Sequence, residues 1–238
     1  KPMAQILNMP MIGHCYLRSK LSSKIDEIYV ATCDKEIYDY IKLIGGKAVM
    51  TANTHERASD RAAEALLKIE SVDGKKYDIV VMIQGDEPML TPEMIDASIN
   101  PLITDENILV VNLMTELKSK EEHEDPNEVK VVVDKFNNAL YFSREPIPSR
   151  KKCNDNPQML KQVCLIPFRR DFLIKYTALS PTPLEIIESI DMMRILENGL
   201  KVKMVQINNS TYAVDTKMDL LNVEELMKND PLLIKYLK

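Results

Sequence analysis

The chain has 238 residues, 45% of them hydrophobic, enough to bury a full core in one large α/β domain. Its 36 acidic residues outnumber its 31 basic ones, and the formal net charge of -5 excludes a nucleic-acid partner, which would need clustered Lys and Arg. No apolar run approaches the roughly 20 residues that a membrane span requires and no signal-peptide pattern opens the sequence, so a cytoplasmic protein with no membrane partner is expected.

In chain order, Ile12 to Arg18 reads as a helix, Glu27 to Thr32 as a strand, and Lys35 to Ile44 as an amphipathic helix stopped by Gly45-Gly46. Lys47 to Met50 follows as a strand and Asp60 to Glu70 as a helix, with Ser59 and Asp60 as its cap and a turn at Asp73-Gly74 beyond it. The β-branched run Ile79 to Ile83 is the next strand. Thr91 is placed to cap, and Pro92 to open, the helix that continues from Glu93 to Asn100, and Ile108 to Leu113 supplies a further strand. This alternation predicts a doubly wound parallel sheet flanked by helices.

The cadence then breaks. Glu128 to Asp134, the turn Lys135 to Asn138, and Ala139 to Arg144 read as an antiparallel hairpin, with Asn137-Asn138 suited to positive φ. Glu145 to Pro157, rich in Pro, Lys and Asn, reads as a mobile loop. Gln162 to Phe168 returns as a strand, Leu184 to Asn198 as one helix ended by Gly199, Val202 to Gln206 as a strand, and Met218 to Lys228 as a helix that Thr216 or Asp219 can cap. The expected organisation is a single domain over residues 1–238 with a hairpin subdomain, residues 125–180, inserted into it.

Six glycines with neither GxGxxG nor GxxxxGK[ST] exclude a dinucleotide-binding dehydrogenase and a P-loop kinase. Cys15, Cys33, Cys153 and Cys164 lie far apart, with no CxxC and no His at zinc-finger spacing, and read as reduced thiols. Chemistry points to one junction, where Ile79 to Ile83 empties into Gln84-Gly85-Asp86-Glu87-Pro88. Ligands of open α/β sheets gather at such carboxyl ends. Gly85 permits close approach, Pro88 stiffens the exit, and Asp86 between them suits a hard cation such as Mg2+, which takes few protein oxygens. A second acid follows another short apolar run, Tyr212-Ala213-Val214, at Asp215-Thr216.

Five blocks in order, Ile83-Gln84-Gly85-Asp86-Glu87-Pro88, Asp125-Pro126-Asn127-Glu128-Val129-Lys130-Val131-Val132, Ala139 to Arg144, Ser180-Pro181-Thr182-Pro183-Leu184-Glu185 and Val214-Asp215-Thr216, resemble the 3-deoxy-manno-octulosonate cytidylyltransferase family nearly end to end. The resemblance implies a Rossmann-like nucleotidyltransferase sheet and a homodimer formed through the inserted hairpin. It also implies transfer of CMP from CTP to an acidic 2-keto-3-deoxy sugar, with release of pyrophosphate and Mg2+ as cofactor. Asp86 and Asp215 are the implied metal ligands and catalytic groups. Lys1 matches the lysine that ends the family's phosphate-binding loop, and a chain that begins at Lys1 rather than Met is expected to continue upstream. Ser59 and Arg61, within His55 to Arg61, match a stretch of the type HxSGT[DE]R that recognises cytidine, with Arg57 and Ala58 in place of the usual Ser and Gly. Gln84 is assigned to both nucleotide and sugar, and Arg144, Gln162, Glu185 and Asp191 to the sugar acid.

The sugar pocket departs from the family pattern. Gln162 to Arg169 replaces HLGIYGYR, and Ile190-Asp191-Met192-Met193-Arg194 replaces LEQLR, so Met192 stands where an amide is usual. Met192 and Met193 read equally as core. A site built for one hydroxyl discriminates against ligands that lack it, which leaves an amino-substituted octulosonate, a sialic-type nonulosonate or another small acid as alternative acceptors. A non-catalytic nucleotide-binding paralogue is the alternative from another class.

Overall fold

The computed structural model describes residues 1–151, 157–208 and 212–237; Cys153 and the middle of the loop expected over 145–157 lie outside the described residues. The chain forms two compact units, the first made of Lys1–Tyr77, Met82–Ala97 and Thr211–Lys238, the second of Asp78–Val81 and Ser98–Ser210.

The first unit opens with a hairpin in which Gln5–Ile6 pairs antiparallel with Met9–Pro10. Leu7 and Asn8 between them take φ of 48° and 65°, the left-handed backbone of a tight primed turn. A leucine is strained there, and its amide is held: Leu7 N–H donates to Glu224 Oε1 at 2.9 Å. The sequence does not announce this hairpin, because two-residue strands leave no alternation to read. After the helix Met11–Ser19, the strand Val30–Thr32 runs parallel to Ala48–Met50, with the helix Lys35–Leu43 connecting them as a βαβ unit. Ile12, Tyr16, Ile37 and Ile41 pack together beneath it. The helix Ala58–Asp73 starts ahead of the expected Asp60. Arg57 stands at its N-cap without a side-chain bond, so Ser59 and Asp60 lie inside the first turn rather than capping it. A second core of Ile6, Met11, Val214, Val223 and Met227 joins the hairpin to the helix Lys217–Met227.

The second unit holds a mixed sheet, with the antiparallel hairpin expected over 128–144 at one edge. Among the described residues its five strands run in the order Lys203–Gln206, Val111–Glu116, Leu160–Val163, Lys130–Val133, Ala139–Ser143, and the first pair alone is parallel. A parallel neighbour needs a crossover of a dozen or more residues, and the short turn after Val133, with Asn137 at φ 58°, permits only a hairpin. The strand Ile79–Ile83 pairs with Leu165–Arg169 in a separate sheet, so the run expected as one strand over 162–168 is two, broken at Cys164.

The helix expected over 184–198 is also two, Pro183–Glu188 and Asp191–Glu197, divided at Ser189 in the left-handed conformation. The Glu197 carboxylate turns back to accept the amides of Leu184 and Glu185, at 3.0 and 3.2 Å, supplying the first helix with partners that a continuous helix could not bring there. Between the two helices Arg194 forks onto Glu185, with Nε at 2.7 Å and a terminal nitrogen at 2.6 Å, and both side chains are buried. Their charges are taken from water, so the pair stands on its own geometry. Arg194→Met, which strands the Glu185 carboxylate, should lower the free energy of unfolding in urea by about 3–5 kcal/mol, and the double change with Glu185→Leu should recover much of that loss.

Candidate active site

Lys1, Asp86 and Asp215 meet in the first unit. Lys1 Nζ donates to Asp86 Oδ2 at 2.8 Å and to Asp215 Oδ1 at 2.9 Å, with all three side chains partly open to solvent. Partial burial pulls the Lys1 ammonium down, but the hydrogen bonds and charges of the two aspartates outweigh it and hold its pKa above the ordinary lysine value.

Each acid is positioned by backbone. The segment Tyr212 to Val214, expected to be strand-like, forms no regular strand; instead Val214 N–H donates to the Asp86 carbonyl at 2.9 Å and sets the two acid-bearing segments side by side. A Cβ at Gly85 would sit 2.9 Å from Ile12 Cδ1, so the turn before Asp86 lies against the helix Met11–Ser19. On the other side, Asp219 Oδ2 accepts the amides of Asp215 and Thr216, at 3.0 and 2.7 Å, and Thr216 Oγ1 accepts the amide of Asp219 at 3.2 Å. This capping box uses both residues that the sequence offers as caps and leaves the Asp215 carboxylate pointing to Lys1.

Lys1 is held by its own backbone. Its carbonyl accepts Ala4 N–H at 3.0 Å, and the Pro2 carbonyl accepts Ile12 N–H at 3.0 Å, which docks the segment on the first turn of Met11–Ser19. That helix is anchored in turn by Arg18, which donates to the carbonyls of Leu90 and Met89 and pairs with Asp230. Buried His14 bridges the Ile6 carbonyl and the Tyr236 hydroxyl, at 2.8 and 2.9 Å, and burial holds its pKa below the ordinary histidine value.

Ser59 is buried in the first turn of Ala58–Asp73, and Arg61 reaches Thr51 Oγ1 and the Ala52 carbonyl, at 2.5 and 3.2 Å. His55 contacts Glu64, which also binds Lys68 and the Ala52 amide; the Lys68, His55 and Ala52 bonds, in that order, pull the Glu64 pKa down to about 2. Gln84 is half-buried just ahead of Gly85.

Among the second unit's predicted residues, Arg144 is the most braced. Its Nε donates to the Glu188 carbonyl at 2.8 Å and its terminal nitrogens to the carbonyls of Pro126 and Ser189, while Glu188 accepts the Arg144 amide at 2.9 Å and the hydroxyls of Ser143 and Tyr141. Buried Lys130 adds a bond to the Arg144 carbonyl. Glu185 is committed to Arg194 and to the Thr182 amide. Asp191 opens the second short helix, its carbonyl accepting the Tyr176 hydroxyl at 2.9 Å. Gln162 lies on the strand Leu160–Val163, and Met192 is buried core.

The family model described as cytidylyltransferase matches residues 1–207. A 3-deoxy-manno-octulosonate cytidylyltransferase of Geotalea daltonii is 41% identical over 239 residues, covering 96% of this chain and 92% of the relative. The chain belongs to the 3-deoxy-manno-octulosonate cytidylyltransferase family. Another member, the mitochondrial enzyme of Arabidopsis thaliana, is 39% identical over 96% of this chain and 78% of its own length. Among solved structures, a CMP:2-keto-3-deoxy-manno-octonic acid synthetase complexed with CTP is similar at a TM-score of 0.85 and 34% identity, covering 96% of this chain and 91% of that one. The 4-diphosphocytidyl-2C-methyl-D-erythritol synthase of Anaerococcus prevotii shares the fold at 15% identity and a TM-score of 0.61.

The donor set fits Mg2+. Two carboxylates already face one positive charge, and among the described residues no group of three or more His, Cys, Asp or Glu gathers as a metal cage. Mg2+ takes one or two carboxylates and completes its shell with phosphate and water. The buttressing by Val214, Asp219 and Glu188 leaves no local signal in the sequence, apart from the spacing of Thr216 and Asp219 that marks a capping box.

Asp219→Ala removes the acceptor of two amides and should cost about 0.5–2 kcal/mol in thermal unfolding. Glu64 has a folded pKa far below its unfolded value of about 4.5, so its contribution is complete above that value and is lost as pH falls toward 2. The difference in melting temperature between the parent and Glu64→Gln should therefore be largest at neutral pH and close as pH approaches 2.

Proposed function

We propose that this chain transfers CMP from CTP to 3-deoxy-manno-octulosonate. The observation that carries the reading is the convergence of Asp86 and Asp215 on one cation position, in a chain of this family. The anomeric hydroxyl oxygen bonds to the α-phosphorus, the bond from that phosphorus to the bridging oxygen breaks, pyrophosphate leaves, and the hydroxyl proton is released.

The chain's contribution is to place charge and align the reactants. Asp86 and Asp215 would hold Mg2+, which supplies charge neutralisation at the phosphates and lowers the pKa of an attacking hydroxyl. Lys1 would bind the triphosphate, and Ser59, Arg61 and Gln84 the nucleotide. Arg144, whose backbone and guanidinium are fixed by Glu188, Ser189 and Pro126, suits a fork onto the sugar carboxylate. Gln162 and Asp191 are assigned to the sugar; Glu185, committed to Arg194, would act by holding the helix that carries Glu188. We assign the reaction to the cytoplasm, where CTP is available. Two copies pairing through the hairpin would cover Phe136 and Leu140, both more than 60% exposed, and the chain should sediment as a dimer.

The reading is tested by pyrophosphate release with CTP, Mg2+ and a panel of acids. Turnover with 3-deoxy-manno-octulosonate is expected; turnover with a nonulosonate alone would replace the acceptor, and none with any acid despite CTP binding would remove the catalytic reading. Asp86→Asn and Asp215→Asn should each lower turnover by about 10²–10³ with the circular dichroism spectrum unchanged, the scale seen when one preorganised electrostatic group is lost.

A further inference from the structure

The Lys1 ammonium occupies the position between the two carboxylates that a divalent ion would need. It donates to Asp86 Oδ2 at 2.8 Å and to Asp215 Oδ1 at 2.9 Å, so both oxygens that face the site are engaged by a cation belonging to the chain itself. A divalent ion entering between the same two oxygens meets the ammonium at close range, where the two cations repel and compete for the carboxylate lone pairs.

The placement of each acid does not depend on Lys1. Asp86 is fixed by the bond from Val214 N–H to its carbonyl and by the packing of Gly85 on Ile12, and the segment of Asp215 by the amides donated to Asp219. The Lys1 backbone is fastened at its carbonyl by Ala4, while its side chain is 40% exposed on a flexible four-carbon stem. The ammonium can therefore leave while the backbone and both acids stay. Its ion pairs are solvent-exposed and individually weak, so a doubly charged ion is able to displace it.

We propose that Lys1 is an exchangeable counter-cation: its ammonium bridges the Asp86 and Asp215 carboxylates, gives way when a divalent ion enters, and is thereby released to the phosphates that arrive with the ion. This rests on the assignment of Asp86 and Asp215 as the metal ligands. The carboxylates are thus kept from repelling each other before metal arrives, and the positive charge delivered to the nucleotide is the one the metal has freed.

The test is Mn2+ binding to the full chain without nucleotide, followed by electron paramagnetic resonance, in the parent, Lys1→Met, Asp86→Asn and Asp215→Asn. Lys1→Met should bind Mn2+ about tenfold tighter, since a resident competitor is gone, while its KM for CTP rises. Both aspartate variants should bind Mn2+ more weakly than the parent. Unchanged or weaker binding by Lys1→Met, alongside loss in both aspartate variants, would overturn the exchange and leave the metal ligands standing. Parent-like binding in both aspartate variants would instead overturn the ligand assignment and the exchange with it.

Discussion

A single backbone hydrogen bond, from Val214 N–H to the Asp86 carbonyl, is the constraint on which the site depends. Carboxylates repel at short range, and two segments far apart in sequence have no reason to stop beside each other unless the backbone stops them. Val214 is buried in the core formed with Ile6, Met11, Val223 and Met227, so the donor of that bond is itself immobilised by apolar packing. The repulsion between the acids is thus opposed by burial elsewhere, and the polar site is held by the hydrophobic cluster behind it.

The two units spend their polar groups differently. In the first, ionic side chains near the candidate site stay partly wet and are arranged around mobile charge. In the second, Arg194 on Glu185 and Lys130 on two carbonyls are drawn inside, while half-buried Arg144 is locked on the carbonyls of Glu188, Ser189 and Pro126. Burial lowers the Lys130 pKa, and carbonyl acceptors keep the ammonium satisfied without a paired carboxylate. Such groups give orientation more than stability, which suits a surface that must present a guanidinium in one direction.

Local signals made much of the first unit legible. The helix Lys35–Leu43 between two short apolar runs, the glycines at the helix ends and the acid following a β-branched strand all report nearby physics. What escaped has a common cause. The break at Ser189 depends on Glu197 folding back onto the amides of Leu184 and Glu185, and the helical periodicity on either side gives no warning of it. The antiparallel pairing of Leu160–Val163 with strands on both sides is a choice of partner, which alternation cannot specify. At the site, Asp86 and Asp215 were readable as strand-end or turn acids, and Lys1 only through resemblance. Glu188 and Glu224 act through contacts far along the chain and leave no motif. Met192 shows the converse: a position that looks like a specificity change in the sequence is buried in the core.

The bridge from Glu224 to the Leu7 amide and from Tyr236 through His14 to the Ile6 carbonyl has a consequence for synthesis. Every residue of the second unit is synthesised before Val214, Glu224 and Tyr236, so the first unit is the later of the two to receive its last core residues. The strained turn at Leu7 and the segment carrying Lys1 must wait, with Ile6 and Met11 uncovered, for the final helices to arrive. Until those helices are made, Ile6 and Met11 stay uncovered, an apolar surface that a chaperone would find.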